Sequence, residues 1–256
     1  MKQGVFVFKK VCLIFIIGVF IVSCGKKVTE TRDAELSFRE GLAFFNEKKY
    51  KKAAKAFENA LMQADNPDFA SKAQLFLADS YYFSKKYEEA IPSYEMYLEV
   101  YPDSEFSKQA LHRLALCYYN QKLSVDRDQT NTQKALDYFI NLTEKYPEYA
   151  KEQNIPEKIR ELRNMLAEKE FYIARFYIRI NKLNASQERF YYLFENYSDT
   201  DVYPEALIYY AKFLVKRMDR KAEAVSLLTK VLKSKSADEK YLSKVSKLLR
   251  EIQEDL

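Results

Sequence analysis

The hydrophobic pattern is clearest from Ala78 to Pro102, ADSYYFSKKYEEAIPSYEMYLEVYP. Ala78 and Tyr81 mark one segment, and Tyr87, Ala90, Tyr94 and Leu98 fall at i, i+3, i+7 and i+11 in the next. Residues at these offsets share one face of a helix, so the spacing predicts two short amphipathic helices joined at Lys85-Lys86. A small residue on one helix lets its neighbour approach closely, and the rings of the partner fill the gap. Pro102 predicts a stop, because proline has no N–H to donate and crowds the preceding turn.

Variations on this pair fill most of the chain. An earlier unit carries Gly41-Leu42-Ala43-Phe44 and then Tyr50, Ala53, Phe57, Ala60 and Leu61. A third has Ala115 and Tyr118, then Ala135, Phe139 and Leu142, and is lengthened by SVDRDQTNT, Ser124–Thr132. A fourth opens on a long helical stretch, Pro156 to Ile180, with the proline well placed at a helix start; Ala174, Tyr177, Leu183, Ser186, Phe190 and Leu193 follow. In the fifth, Ala211 and Leu214 precede Ala222 or Ala224, then Leu228 and Leu232, and ALIYY at 206–210 offers a competing phase. Three unit ends share a signature: Tyr101-Pro102-Asp103-Ser104, Tyr146-Pro147-Glu148-Tyr149 and Tyr197-Ser198-Asp199-Thr200. The polar residue after each break predicts a cap for the next helix.

This helix–turn–helix unit resembles the tetratricopeptide (TPR) repeat of about 34 residues. No such unit buries its apolar face alone, so the resemblance implies stacking into a continuous core. The expected fold is all-α: a right-handed TPR solenoid of about five repeats. It would form one domain over 33–256, with N-terminal repeats at 33–150, C-terminal repeats at 156–235 and a capping helix at 238–254.

The N-terminus reads differently. Lys2, Lys9 and Lys10 precede an uninterrupted apolar run, Val11 to Val22, shorter than the span of about 20 residues that a membrane helix needs. The run ends in Ile21-Val22-Ser23-Cys24, which resembles the bacterial lipobox. That resemblance implies a signal peptide at 1–23, cleavage before Cys24 and acylation of that cysteine, with 24–32 as a polar tether. Several acyl chains anchor stably where one is marginal. Gly25 stands where an Asp commonly retains proteobacterial lipoproteins at the inner membrane, which points to the outer membrane.

Composition narrows the classes. The 256 residues are 48% hydrophobic and 15% aromatic, with 21 Tyr, 18 Phe and no Trp. Beyond the signal only Gly25 and Gly41 remain, too few for a glycine-rich phosphate loop. The signal carries three lysines and no acid, so its loss brings the formal charge from +5 to +2. No basic block with interleaved aromatics suggests nucleic acid. With Cys12 in the signal and Cys24 acylated, Cys117 is left alone, a small buried hydrophobe in the apolar run Leu114–Tyr119.

Catalytic chemistry is not legible. His112 is the only histidine and has only Cys117 as a zinc-type partner. Nothing near it resembles a nucleophile elbow. Asp126-Arg127-Asp128 reads as a solvated loop, because the intervening arginine opposes a cation, and Glu88-Glu89 sits on a polar helix face. The chain is expected to have no catalytic residues, metal or cofactor, and to work by binding. Tyr82 and Tyr119, just past the packed aromatics, are candidates for the binding face or for extra core.

A TPR solenoid behind a lipobox resembles the BamD family, lipoproteins of the outer-membrane β-barrel assembly machinery. The likeness rests on the order of units, the Tyr-Pro-Asp-Ser ends, the acidic-basic insertion Val125-Asp126-Arg127-Asp128, and LAEKEFYIARFYIRINKLNASQERFYYLFENYSDT at Leu166–Thr200. It implies a periplasm-facing, outer-membrane scaffold whose C-terminal repeats bind the POTRA domains of BamA, beside other subunits of the machinery. Its N-terminal repeats would meet unfolded barrel substrates. Arg189 matches the family's arginine that pairs with BamA, and Asp126 and Arg127 belong to the partner-binding insertion. The fourth unit departs from the family pattern at Tyr197-Ser198 and Ser186. The competing readings are another TPR lipoprotein adaptor (a pilotin or cell-envelope coordinator) and an envelope enzyme or nutrient-binding lipoprotein using the groove for a glycan, the latter disfavoured by the absence of Trp.

Overall fold

The computed structural model describes residues 26–233 and 238–254, with side chains from residue 33 onward except that of residue 240. The lipobox and Cys24 lie outside the described residues. Among those described there are only helices: α1 (Lys26–Asn46), α2 (Tyr50–Met62), α3 (Pro67–Phe83), α4 (Tyr87–Val100), α5 (Ser107–Tyr119), α6 (Thr130–Lys145), α7 (Pro147–Glu152), α8 (Ile155–Arg179), α9 (Leu183–Asn196), α10 (Val202–Phe213), α11 (Lys221–Lys233) and α12 (Glu239–Glu254). A π-helical turn, Leu214–Met218, extends α10. The chain divides after Ser80 into two compact units, each taken in turn. α1 begins at Lys26, so most of the stretch expected to be a tether is helical.

In the first unit Gly41 on α1 sets the approach of α2. A Cβ there would lie 2.6 Å from Cε1 of Phe57, a fully buried ring. Phe57 meets Phe38 edge-on at 5.4 Å and stacks on Phe76 at 5.3 Å, while Phe38 also reaches Phe69 and Phe45 reaches Phe76. Buried Ala53, Ala56 and Ala60 on α2 leave room for these rings. A fully buried phenylalanine contributes roughly 1.5–3 kcal/mol, so this cluster is the main apolar store of the unit.

The second unit builds its core the same way. Ala90 and Tyr94 of α4 are fully buried, Leu98 on the same expected face is only half-buried, and Tyr97 is fully buried. Its hydroxyl donates to Ser104 at 2.8 Å. Glu95 accepts from both Tyr118 (3.2 Å) and Tyr138 (3.1 Å), whose rings stack at 5.6 Å, so one carboxylate ties α4, α5 and α6. Ser186, standing where a small alanine is usual, is fully buried and donates to the carbonyl of Ala174 at 2.9 Å, joining α9 to α8.

One turn recurs. Lys48, Lys85, Asn181 and Asp219 each adopt a left-handed φ between the two helices of a pair. Around Lys85 the N–H groups of Lys85 and Lys86 return to the carbonyls of Tyr82 and Tyr81, and Asn181 and Lys182 repeat this on Ile178 and Tyr177. This left-handed residue closes the orphan carbonyls of a helix end. The pair α5–α6 lacks it, because the insertion replaces the turn with a longer loop at 120–129.

Other expectations change in detail. The polar residues at the unit ends do not cap the following helices: α5, α7 and α10 begin without a side-chain cap. Thr200 instead donates back to the carbonyl of Tyr197, and Ser107 to that of Tyr101, closing the previous helix. In α11 the inward alanine is Ala224, and Val231 is buried where Leu232 was expected, leaving Leu232 exposed. The two phases of α10 are both used: Ala206, Leu207, Ile208, Tyr210, Ala211 and Leu214 are all buried. α12 turns Val245, Leu248 and Ile252 inward, with Lys244, Lys247 and Glu251 exposed.

Candidate functional site

The long helix α8 is the element on which most of the candidate residues converge. Its apolar positions Ile155, Leu162, Leu166, Phe171 and Ala174 recur at helical spacing and are buried, and it packs against α6, α7, α9 and α10. Pro156 sits in its first turn, where a missing N–H costs nothing, and Asn154 precedes it in the left-handed conformation.

Arg189 on α9 faces α8. Its Nη1 donates to both oxygens of Glu170, at 3.1 and 3.4 Å. The Glu170 side chain is 14% exposed and that of Arg189 43%, so the carboxylate is the buried partner and the guanidinium the accessible one. A guanidinium is a planar fork of five donors, and this pairing engages one nitrogen while leaving the fork's outer edge toward solvent. Glu170 thus fixes the direction in which Arg189 presents its charge.

Tyr119 closes α5 and reaches α8 through its hydroxyl, which donates to Glu161. Lys122 lies 3.6 Å from the centre of the Tyr119 ring and 3.5 Å from Glu161, and Lys158 stands over the same ring at 5.4 Å. Burial pushes the Tyr119 phenol up to about 12, helped by its hydrogen bond to the Glu161 carboxylate. Tyr119 is therefore a half-buried ring carrying two cations. The insertion is pinned to the same helix: Lys169 donates to the backbone carbonyl of Arg127 at 2.9 Å. The side chains of Asp126 and Arg127 remain exposed. Asp126 accepts from Ser124 at 2.6 Å, which holds its carboxyl below the usual range.

Tyr82 stands apart from α8. It is half-buried beside Phe83 and Tyr87, and its hydroxyl meets Asn120, one residue past α5. Burial raises its phenol.

The structure also contains a polar clasp that the sequence reading missed. Arg163 donates through Nε to Asp199 at 2.8 Å and through Nη2 to the carbonyl of Asn196 at 2.8 Å. Arg160 reaches Asp201 at 2.9 Å, and Asn164 exchanges hydrogen bonds with the same residue. The clasp holds the α9–α10 turn onto the first half of α8. Its signal in the sequence was the acidic pair Asp199 and Asp201 at a unit end, opposite arginines far away in the chain.

His112 is buried, with Nδ1 3.1 Å from the Tyr149 hydroxyl and Nε2 without a partner. Burial first, then Lys158 and Arg113, lowers its pKa from 6.5 to about 4, which keeps it neutral. Cys117 is buried and forms no disulfide among the described residues. Among the described residues no group of three or more His, Cys, Asp or Glu could hold a metal, and no helix is long and apolar enough to cross a membrane.

Comparison with known proteins matches residues 30–226 to the family YfiO, described as outer membrane lipoprotein. A relative from Rickettsia prowazekii (strain Madrid E), named outer membrane protein assembly factor BamD, is 28% identical over 204 residues, 78% of this chain and 80% of that protein. A second of the same name, from Caulobacter vibrioides (strain ATCC 19089 / CIP 103742 / CB 15), is 35% identical over 94 residues, 36% of this chain and 30% of that protein. With that match spanning most of its length, the chain belongs to the YfiO family of outer membrane lipoproteins.

Proposed function

We propose that this protein is a lipid-anchored, periplasm-facing scaffold of the outer-membrane β-barrel assembly machinery, without catalytic activity of its own. It is acylated at Cys24, stacks its helix pairs as one TPR solenoid over 33–256, and docks the POTRA domains of BamA through its C-terminal repeats. The N-terminal repeats receive unfolded barrel substrates, and other subunits of the machinery join the same scaffold. The observation that carries this reading is the family match over 30–226, with relatives named as assembly factors.

Arg189 supplies the docking charge. Glu170 holds the guanidinium by one nitrogen, and a carboxylate of the partner takes the exposed edge. Pre-orientation of this kind lowers the ordering cost of binding. Truncating one side of a hydrogen-bonded interfacial charge pair costs about 2–5 kcal/mol, and reversing the charge adds repulsion. Tyr119, with Asp126 and Arg127 on the insertion, borders the same helix and forms the rim; Tyr82 contributes to the face beyond it.

The test is a mild-detergent pull-down through a C-terminal tag, comparing wild type with Arg189→Glu. Recovery of a POTRA-bearing barrel protein with the wild type and its loss with the variant is the expected result. Equal recovery with both removes Arg189 from the interface. Recovery of a secretin in place of the barrel protein assigns the chain to pilus assembly.

A further inference from the structure

α8 carries a second surface. Tyr172, Phe176 and Ile180 follow one another at i, i+4 and i+8 along the end of the helix and are 39%, 42% and 46% exposed. At 1.5 Å per residue they form an apolar ridge about 12 Å long. Isolated apolar side chains on a surface need no explanation. Three in register do.

At 100° per residue, Glu170 lies about 120° around α8 from the middle of this ridge, so the ridge is a different face from the one that meets Arg189. Its flanks are basic. Arg175 lies over the Phe171 ring at 5.0 Å and Arg179 over the Phe176 ring at 5.8 Å, and neither pairs with a carboxylate among the described residues. Lys182 is exposed just beyond. The acids nearby are Glu168 at the start of the ridge and Glu188 past its end. Past Ile180 the surface dips into a shallow hollow of about 560 Å³ lined by Asn181, Lys182, Leu183, Asn184, Ala185 and Glu188.

We infer that this ridge is a docking site for an acidic amphipathic polypeptide segment, whose apolar side chains lie along Tyr172, Phe176 and Ile180 and whose carboxylates meet Arg175 and Arg179. Charge complementarity selects this occupant. A second copy of the chain would bring the same arginines against each other. A lipid surface is flat and makes no use of the hollow, whereas a side chain at the end of a bound segment enters it. The rings also hold the two guanidinium planes in place, ready for bidentate pairing with a carboxylate.

The probe is a fluorescent helical peptide with leucines at i, i+4 and i+8 and glutamates on the flanks, compared with the same peptide carrying lysines. Anisotropy with the full chain in detergent should show saturable, salt-sensitive binding of the acidic peptide alone. Arg175→Glu with Arg179→Glu should weaken it by about tenfold or more, and Phe176→Ser by a similar factor. Arg189→Glu should leave it unchanged, which separates this inference from the docking reading above. Arg175, Phe176 and Arg179 are exposed and Arg189 is half-buried, and circular dichroism melts verify that each variant is folded. The proposal is overturned if both peptides bind alike, if the wild type binds neither, or if the double variant binds as the wild type does. Adsorption only to phosphatidylglycerol vesicles, or a dimer that Phe176→Ser dissociates, overturns it in favour of a lipid or a second copy.

Discussion

Gly41→Ala is a sharp test of how the first unit is packed. The added methyl would stand 2.6, 2.7 and 2.9 Å from Cε1, Cδ1 and Cζ of Phe57, well inside ordinary van der Waals contact. The ring must retreat by about 1 Å, and it is fully buried between Phe38 and Phe76, which are themselves wedged against Phe69 and Phe45. Overpacking of this kind costs about 1–3 kcal/mol. Against it stands the gain from replacing glycine within a helix, about 0.5–1 kcal/mol. The net expectation is a loss of up to about 2.5 kcal/mol, read as a lower midpoint in urea unfolding followed by far-UV circular dichroism. Phe57→Leu in the same chain removes the clashing edge. The double variant should therefore be more stable than the two single losses predict, by about 0.5–3 kcal/mol of favourable coupling. If Gly41→Ala alone stabilises the protein, the ring moves freely and the close-approach argument is wrong.

Two further outcomes follow from the second unit. Lys85 holds a left-handed φ of 61° that glycine adopts without strain, and its side chain is exposed. Lys85→Gly should raise stability by about 0.5–1 kcal/mol in a thermal melt, and a loss would show the strain is absent. His112 has a folded pKa of about 4, below its ordinary 6.5, so the unfolded chain takes up the proton first. Its contribution is complete above about pH 6.5, is lost as the pH falls and levels off below about pH 4. Urea midpoints across that range should show this decline, and His112→Gln should flatten it; an unchanged slope would mean the imidazole is not held neutral.

The helices were legible because their signal is local. Ala90, Tyr94 and Phe139 repeat at helical spacing and each is fully buried, and Pro102, Pro147 and Pro156 mark ends that the backbone respects. What periodicity could not settle was which of two adjacent apolar residues faces inward. Tyr97 and Leu98 both fit the pattern of α4 yet only Tyr97 is fully buried, Val231 is buried where Leu232 was expected, and the neighbouring helix decides in each case. Caps failed for a related reason: Thr200 had a carbonyl behind it as well as N–H groups ahead, and the nearer partner won.

The candidate site divides along the same line. Arg189 could be placed on its helix from spacing alone, but its ion pair with Glu170 requires knowing that α8 and α9 pack face to face. Tyr119 was suspected as a binding ring or as core and proves to be half-buried, with its hydroxyl on Glu161 across a long stretch of chain. The clasp of Arg160 and Arg163 on Asp201 and Asp199 was invisible for the same reason. The ridge of Tyr172, Phe176 and Ile180 was hidden differently: at helical spacing, an exposed stripe and a buried one read alike.

The central claim, a scaffold role in barrel assembly, is tested most directly by depleting the protein from its own cells and quantifying folded β-barrel proteins in the outer membrane. Their levels should fall together as the protein is lost; wild-type chain should restore them, and Cys24→Ala or Arg189→Glu should restore them poorly. Barrel levels that hold steady through complete depletion would contradict that role.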